Sequence, residues 1–354
     1  MEALPTGAIG GVVVGPSQSP FGEKDRTTIF TFNREGKPLG KIVGGAIGDA
    51  QILGAPGRLV AATNDDVVAS TEVGNASTPS PGVLVQAASQ NVESSRSAMW
   101  FNTGYSDEEY RNSYVSIDVS SSSDSGTVPG LVLASTFCGD SLFAIVENVD
   151  TVKFGQPYES WLYEIPPGEE PIVRGTMTFD DAFMPASREA TCSSDGSTIN
   201  AFYASSETRS NEKGGIPGLS LVQIDTRDGS HTTSSIMMDG YTWRVAWGTV
   251  SILDERMYWA TTDGDILSIP MNGAIKAEKL WSLPAGGLST RMAVQGNRVT
   301  QLDFRDATTY TEYDARTGDV TMGPIELPWL DPFVDAVTES GTASYTLLDI
   351  ASLH

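Results

Sequence analysis

Residues 244 to 284, RVAWGTVSILDERMYWATTDGDILSIPMNGAIKAEKLWSLP, contain the unit that the rest of the chain repeats. The stretch divides into four short β-prone runs, RVAWGTVSI, ERMYWATT, GDILSIPM and KAEKLWSL, with Asp-Glu, Asp-Gly and Asn-Gly pairs between them. Pairs of this kind close hairpins between antiparallel strands. The stretch therefore predicts a four-stranded antiparallel meander, and its variants along the chain favour a β-propeller.

Two periodic signals give the number of blades. The first is a small residue before an apolar pair, which suits an innermost strand crowded round an axis; it occurs at Ala50, Ala87, Ala134, Ala190, Ala246, Ala293 and Ala336. The second is an apolar run after a turn, which we interpret as the next strand outwards; its runs begin at or beside Arg58, Ser97, Ser141, Thr198, Arg256, Arg298 and Ala343. Both signals predict seven blades.

A third signal predicts how the ring closes. Alternating runs that end in turn residues mark the third strand of each blade: IFTFNREG, YVSIDVSS, WLYEIPPG, LVQIDTRDG, ILSIPMNG, YTEYDARTG and a ragged one within VVASTEVGN. The first run has no inner strands before it, and the last blade has no outer strands after it. We therefore expect two C-terminal and two N-terminal strands to share one blade, which removes exposed sheet edges. On this interpretation residues 1–25 are an N-terminal extension and residues 26–354 are the propeller.

One blade resembles a known repeat. Its run Tyr258-Trp259-Ala260-Thr261, followed by ILSIPMNG, is similar to the YWTD-type propeller repeat, in which Tyr-Trp-Thr-Asp precedes an alternating strand and a turn. The sequence departs from that pattern at Ala260 and Thr261. The resemblance covers one blade of seven, so it implies the propeller fold and no particular ligand.

The charge balance limits the partners. Lys and Arg number 22 against 45 Asp and Glu, giving a net charge of −23, so nucleic acid and anionic membranes are repelled. No apolar run of about 18 residues is present, and we expect no transmembrane segment. The Ser/Thr/Gly-rich loops and scarce Lys favour an extracytoplasmic location, whether secreted, periplasmic or surface-anchored. The alternative is a cytoplasmic protein.

Few residues suggest metal or redox chemistry. The chain has two histidines, His231 and His354, too few for a multi-histidine metal site. We expect no cofactor; calcium on turn carboxylates such as Asp263 and Asp265 is the open alternative. Cys138 and Cys192 end predicted innermost strands of neighbouring blades. They form either a disulfide or two buried thiols.

Three arginines suggest an anion site. Arg188, Arg244 and Arg291 each precede a repeat alanine by two positions, in three consecutive blades. This places them at the mouth of the innermost strands, where converging guanidiniums would bind a carboxylate, phosphate or sulfate. The alternative is that they pair with acidic neighbours and hold adjacent blades together.

Long insertions mark one face. They lie between the second and third strands of three blades, after Asn102, Glu147 and Ser205. In a propeller these connections share a face with the loops between blades, so they would build a binding surface beside the arginines. Aromatic contact area there would come from Tyr105, Tyr110, Phe154 and Tyr158.

The sequence therefore predicts a non-catalytic binding or scaffold propeller that engages a protein partner or an anionic ligand on this face. The first alternative is a metal-dependent lactonase or esterase with a divalent metal held at the axis by carboxylates. Its candidate ligands are Asp49, Glu189 and Asp335. The second alternative is a purely structural subunit of a larger assembly.

Overall fold

The structure of the 354-residue chain is a computed structural model. It describes residues 1–17, 21–91, 95–106, 109–118, 123–153, 156–180, 183–205, 218–238, 244–272, 275–284, 290–333, 336–338, 341 and 344–354. Within them lie 29 β-strands and two short 3₁₀ helices, Val149–Thr151 and Pro328–Phe333. No described helix has the length and apolar character needed to cross a membrane.

The strands form seven antiparallel sheets arranged as the blades of a propeller. The chain begins with β1 (Gly10–Pro16), β2 (Arg26–Phe32) and β3 (Pro38–Gly45), which belong to blade 7 together with the last strand. Blade 1 contains β4 (Ile52–Ala55), β5 (Arg58–Ala62), β6 (Asp66–Thr71) and β7 (Gly74–Pro79). Blade 2 contains β8 (Val85–Asn91), β9 (Arg96–Ser106), β10 (Glu109–Asp118) and β11 (Ser123–Pro129). Each blade is given from the axis outwards, except that blade 7 takes its innermost strand from the C-terminal end.

The remaining blades continue the same order. Blade 3 contains β12 (Leu131–Cys138), β13 (Ser141–Glu147), β14 (Tyr158–Ile165) and β15 (Ile172–Phe179). Blade 4 contains β16 (Phe183–Pro185), β17 (Thr191–Cys192), β18 (Thr198–Ser205), β19 (Leu219–Asp225) and β20 (His231–Ser235). Blade 5 contains β21 (Ser251–Leu253), β22 (Arg256–Ala260), β23 (Asp265–Pro270) and β24 (Glu278–Ser282). Blade 6 contains β25 (Thr290–Gln295), β26 (Arg298–Asp303), β27 (Thr309–Asp314) and β28 (Val320–Glu326), and β29 (Tyr345–Ser352) completes blade 7.

The predicted seven-bladed fold is confirmed. The second-strand runs from Arg58 to Arg298 form β5, β9, β13, β18, β22 and β26, and all seven third-strand runs form strands. The second and third strands carry the core, since their apolar residues are buried on both faces between neighbouring blades. Trp100 and Trp259, fully buried, each fill one such layer. This burial pattern depends on residues that are close together in the sequence, so the sequence alone can predict it.

The closing blade differs from the prediction. The sequence predicts two C-terminal and two N-terminal strands, whereas blade 7 has one C-terminal strand, β29, and three N-terminal strands. The run around Ala336 is not the innermost strand; β29, which the sequence assigns to the second position, takes that place. The reason is β1: its GGVVVGP sequence is buried throughout and occupies the second position. Gly10 and Gly11 permit this because a Cβ there would collide with the rings or methyls of Phe32 and Ile52.

The N-terminal residues pack on the propeller. The boundary predicted at residue 25 passes through blade 7, since β1 pairs with both β29 and β2. Before β1, the buried Leu4 donates its amide to the Thr71 carbonyl of blade 1, and Ile9 donates to Phe32. The Asn75 side chain donates to the Met1 carbonyl. Residues 1–16 therefore join blade 7 to blade 1 along their outer strands.

Blades 3 and 4 are joined near the axis. Cys138, the last residue of β12, and Cys192, the last residue of β17, form a disulfide. On the same strands, Ser135 donates its amide to the Arg188 carbonyl and accepts from the Ala190 amide. The two innermost strands are thus connected by covalent and hydrogen bonds.

Reduction of the disulfide is expected to lower the stability of the propeller. The bond closes a loop with a sequence separation of 54, so its loss should lower the free energy of unfolding by roughly 2 to 4 kcal/mol. The measurement is denaturant unfolding with and without reductant. The double variant Cys138→Ala/Cys192→Ala is the control, and its unfolding should not respond to reductant. Equal stability of the oxidised and reduced wild-type chain would contradict this expectation.

Candidate functional site

A break in one innermost strand creates the site. In blade 4 the innermost position is divided between β16 and β17, which both pair with β18. β16 ends at Pro185, and the last hydrogen bond of this part of the ladder runs from the Ala186 amide to the Phe202 carbonyl of β18. Residues 187–190 between the two strands pair instead with β12 of blade 3, through the parallel bridge between Ser135 and Glu189. The break leaves Arg188 at the axial end of the strand, on the face where innermost strands begin.

Arg188 reaches across the mouth of the axial channel. Its Nη2 lies 3.0 Å and its Nη1 3.1 Å from Oδ2 of Asp49, which precedes β4 of blade 1. Nη1 also lies 3.4 Å from the carbonyl oxygen of Val85 in blade 2. Blades 1 and 4 are three positions apart in the ring, so this ion pair spans the opening. Asp49 adopts a left-handed backbone conformation, with φ of 49°, which Asp tolerates better than most residues.

A tryptophan from the next blade stacks on Arg188. The guanidinium carbon lies 3.9 Å from the centre of the Trp247 ring, in the connection between blades 4 and 5. This is the geometry of a cation–π contact, and the flat guanidinium suits it. Trp247 is still 53% exposed, so it also presents apolar surface at the mouth. The side chain of Arg188 thus links blade 4 to blades 1 and 2 and to the connection before blade 5.

A shallow cleft adjoins this pair. It has a volume of about 180 Å³. Its lining residues are Gln86, Leu133, Met184, Pro185, Ala186, Ser187, Arg188 and Trp247. The cleft is therefore apolar along most of its wall and cationic at one end.

Two further carboxyl groups belong to innermost strands or lie directly before them. Glu189 accepts hydrogen bonds from Ser187 Oγ at 2.6 Å and from the Gly248 amide at 2.9 Å. Asp349 on β29 accepts from the amides of Ile52, at 2.9 Å, and Ile350, at 2.8 Å. Burial raises the pKa of Glu189, although its two hydrogen bonds act in the opposite direction. Burial, helped by the charge of Glu189, raises the pKa of Asp349 to about 7.

The three predicted arginines occupy different environments. Arg188 spans the mouth. Arg291 on β25 lies 5.5 Å from the Phe304 ring and donates to the Thr290 carbonyl; burial lowers its pKa, while the charge of Asp349 raises it. Arg244 is exposed. Its backbone carbonyl accepts a hydrogen bond from the Thr262 amide, and the residue has other interactions as well. No described contact joins two of the three.

The predicted aromatic residues also differ in exposure and contacts. Tyr105 and Tyr110 face each other across the long β9–β10 hairpin, with ring centres 5.2 Å apart, and Tyr105 is 69% exposed. Tyr158 is buried, and its hydroxyl donates to the Phe183 carbonyl, so it supports the fold between blades 3 and 4. Phe154 lies outside the described residues.

The carboxylates proposed as metal ligands are also separated. Asp49 is paired with Arg188, Glu189 accepts hydrogen bonds from Ser187 and Gly248, and Asp335 lies outside the described residues. In the part of the chain that the structure describes, no group of three or more His, Cys, Asp or Glu side chains is arranged to hold a metal ion. Sequence reasoning missed Trp247 and Asp349. A tryptophan directly after the innermost-strand alanine was the one available signal for the former.

Exposed apolar side chains concentrate on one side of the ring. The loop face is defined here as the side where each second strand connects to the third and each blade connects to the next. Of thirteen exposed large hydrophobic side chains in the described part, eight lie in or beside those connections: Val83, Tyr105, Val152, Met184, Met237, Trp247, Phe333 and Val337. The opposite face has one, Val73, and four lie on outermost strands.

The raised pKa of Asp349 predicts a specific pH dependence of stability. A carboxyl group that holds its proton more tightly in the folded state stabilises the fold at low pH, and the contribution falls as pH rises from about 4 to 7. Asp349→Asn cannot ionise. Between pH 5 and pH 8 the free energy of unfolding of the wild type should therefore fall by about 2 to 3 kcal/mol more than that of the variant.

Denaturant unfolding at the two pH values measures this difference. The comparison uses the change with pH rather than absolute stability, because the variant also loses one hydrogen-bond acceptor at every pH. Parallel pH profiles for the two proteins would contradict the assignment.

Comparison with known proteins supports the fold. No protein-family profile matches the chain, and no curated protein sequence matches it. Solved propellers do. The β-propeller domain of Cps50 (Swd1) from Myceliophteria thermophila has a TM-score of 0.50 and 11% identity, covering 79% of this chain and 86% of that one. The lignostilbene dioxygenase of Pseudomonas brassicacearum has a TM-score of 0.50 and 8% identity, covering 92% and 91%. At these identities the likeness is one of fold, shared by proteins with different functions.

Proposed function

We propose that the chain is a non-catalytic binding module that docks a protein partner on its loop face. The observation that carries the proposal is the concentration of exposed apolar side chains there, eight against one on the opposite face. An excess of exposed apolar side chains on one face of a protein favours a binding surface on that face. The long β9–β10 hairpin adds Tyr105, an aromatic residue of the kind that dominates binding energy at interfaces.

The charge distribution favours a partner with limited negative charge at the contact. The whole chain carries −23, which repels acidic macromolecules at a distance. At the channel mouth, Arg188 supplies positive charge beside the apolar surface of Trp247. A partner that presents an apolar patch with one acidic group at its centre would fit this arrangement.

The proposal includes a location outside the cytoplasm. The Cys138–Cys192 disulfide is a type of bond that persists in oxidising compartments and is rare in the cytosol. It supports a secreted, periplasmic or surface-anchored protein, where an acidic propeller with tied blades would present its loop face to other proteins.

Docking can be tested by placing charges on one face at a time. The loop-face variant is Val83→Glu/Met237→Glu. The control is Val73→Glu/Val320→Glu, which adds the same charge at residues at least as exposed, on the other face and on an outermost strand. The purified wild-type chain is first used to isolate and identify a binding protein from its source. The affinity of that protein for each variant is then measured.

We expect the loop-face variant to bind at least tenfold more weakly, because a buried charge at an interface centre costs more than about 1.4 kcal/mol. The control variant should bind as the wild type does. Equal affinity of the two variants would place the partner elsewhere and contradict the proposal.

A further inference from the structure

The guanidinium of Arg188 has a donor edge that the fold leaves unused. A guanidinium carries five N–H groups. Three are occupied: Nη1 donates to Asp49 and to the Val85 carbonyl, and Nη2 donates to the same Asp49 oxygen. The Nε–H group and the second N–H of Nη2 have no acceptor among the residues that the structure describes.

These two N–H groups lie on one edge of the guanidinium and point the same way. Their spacing matches the two oxygens of a carboxylate, which accepts such a fork as a pair of parallel hydrogen bonds. Trp247 covers a face of the guanidinium and Asp49 holds its far end. The edge is therefore held in position before a ligand arrives, which reduces the entropy lost on binding.

The cleft beside Arg188 limits the size and polarity of a ligand. Its volume, about 180 Å³, is below the roughly 300 to 1,000 Å³ of pockets for drug-sized molecules. On its wall, Ser187 donates its hydroxyl to Glu189, and Gln86 donates one of its two amide N–H groups to the Val132 carbonyl. The remaining lining side chains are apolar apart from Arg188. One small apolar group with one anionic end fits these limits.

Neighbouring charges favour a monoanion over a dianion. Asp49 shares the same guanidinium, and Glu189 is the next residue along the chain. A phosphate dianion would be repelled by the Asp49 carboxylate more strongly than a carboxylate would be, since the repulsion scales with the product of the charges.

We propose that this cleft binds a single carboxylate carried on a small apolar group, with the Nε and Nη2 edge of Arg188 as its fork. The proposal rests on the docking function, since it names the chemical group that the loop face recognises. Two sources supply that chemistry: the C-terminal residue of a partner protein with an apolar side chain, or a free short-chain carboxylic acid.

The test uses three probes of similar size with the purified chain. N-acetyl-leucine presents a chain-terminal carboxylate, N-acetyl-leucinamide is its neutral match, and 4-methylpentanoate is a free acid without a peptide group. Binding is followed by NMR through the indole N–H signals, with Trp247→Phe used to assign the signal of that residue. We expect saturable binding of at least one carboxylate and at least tenfold weaker binding of the amide.

The two carboxylate probes distinguish the sources. Tighter binding of N-acetyl-leucine supports recognition of a protein C-terminus, and equal or tighter binding of 4-methylpentanoate supports a free acid. Failure of both to bind, or equal binding of N-acetyl-leucine and its amide, would overturn the proposal.

Variants connect the binding to the named edge. Arg188→Lys keeps the charge and loses the fork, so carboxylate affinity should fall about tenfold or more. Because that change also weakens the pair with Asp49, a second variant, Ala186→Leu, fills the cleft and leaves Arg188 in place; it should abolish binding. Asp49→Asn removes a competing charge and should raise affinity several-fold. Unchanged affinity in Ala186→Leu would place the probe elsewhere and overturn the proposal.

This result is separable from the docking experiment. Small-probe binding that persists in Val83→Glu/Met237→Glu, together with unchanged partner affinity in that variant, would reject the docking function and retain the carboxylate cleft. Loss of partner affinity in that variant, with no probe binding to the wild type, would retain the docking function and reject the carboxylate cleft.

Discussion

Pairing of β29 with β1 is the interaction on which the rest of the ring depends. It joins residues at opposite ends of the chain, from Gly10 opposite Ser352 to Pro16 opposite Tyr345. Loop-closure entropy grows only slowly with the length of chain enclosed, so a single well-packed strand pair can close so long a ring. Without it, β1 would be an unpaired sheet edge and β29 an unpaired strand.

The sequence predicts the blades because their signals are local. Hairpin turns and alternating burial depend on residues within a few positions of one another, and both recur with a regular spacing. Closure was predicted less accurately, since β1 is uniformly apolar and carries neither signal. The Arg188–Asp49 pair spans 139 positions, and no pattern within a blade specifies which acidic residue a mouth arginine reaches. Arg188, Arg244 and Arg291 each stand two residues before an alanine, which predicted similar places, yet their surroundings differ because the innermost strands begin differently.

The innermost strand of blade 4 is broken at Arg188, whereas Arg291 lies within the continuous β25. In an intact innermost strand the residues before the alanine would continue the ladder with the second strand. Here the ladder with β18 ends after Ala186, whose amide donates to the Phe202 carbonyl, and residues 187–190 pair with blade 3 instead. Irregular backbone at the axis would normally weaken a propeller. The disulfide between Cys138 and Cys192, together with the hydrogen bonds of Ser135, holds the segment on either side of the break.

One arrangement of groups therefore serves both stability and recognition. Arg188 ties blade 4 to blades 1 and 2 and to the connection before blade 5 through Asp49, Val85 and Trp247, and it uses only part of its donor capacity to do so. An arginine whose five N–H groups were all bonded within the fold could only stabilise the structure. An arginine without any partner at the channel mouth would move among several conformations. The Arg188 guanidinium is held in place by its contacts, and two of its N–H groups remain without an acceptor among the described residues. A binding group in this state is positioned in advance and can still donate hydrogen bonds to a ligand. The apolar loop face around it extends the contact area, so the channel mouth is the point at which shape and charge together define a ligand.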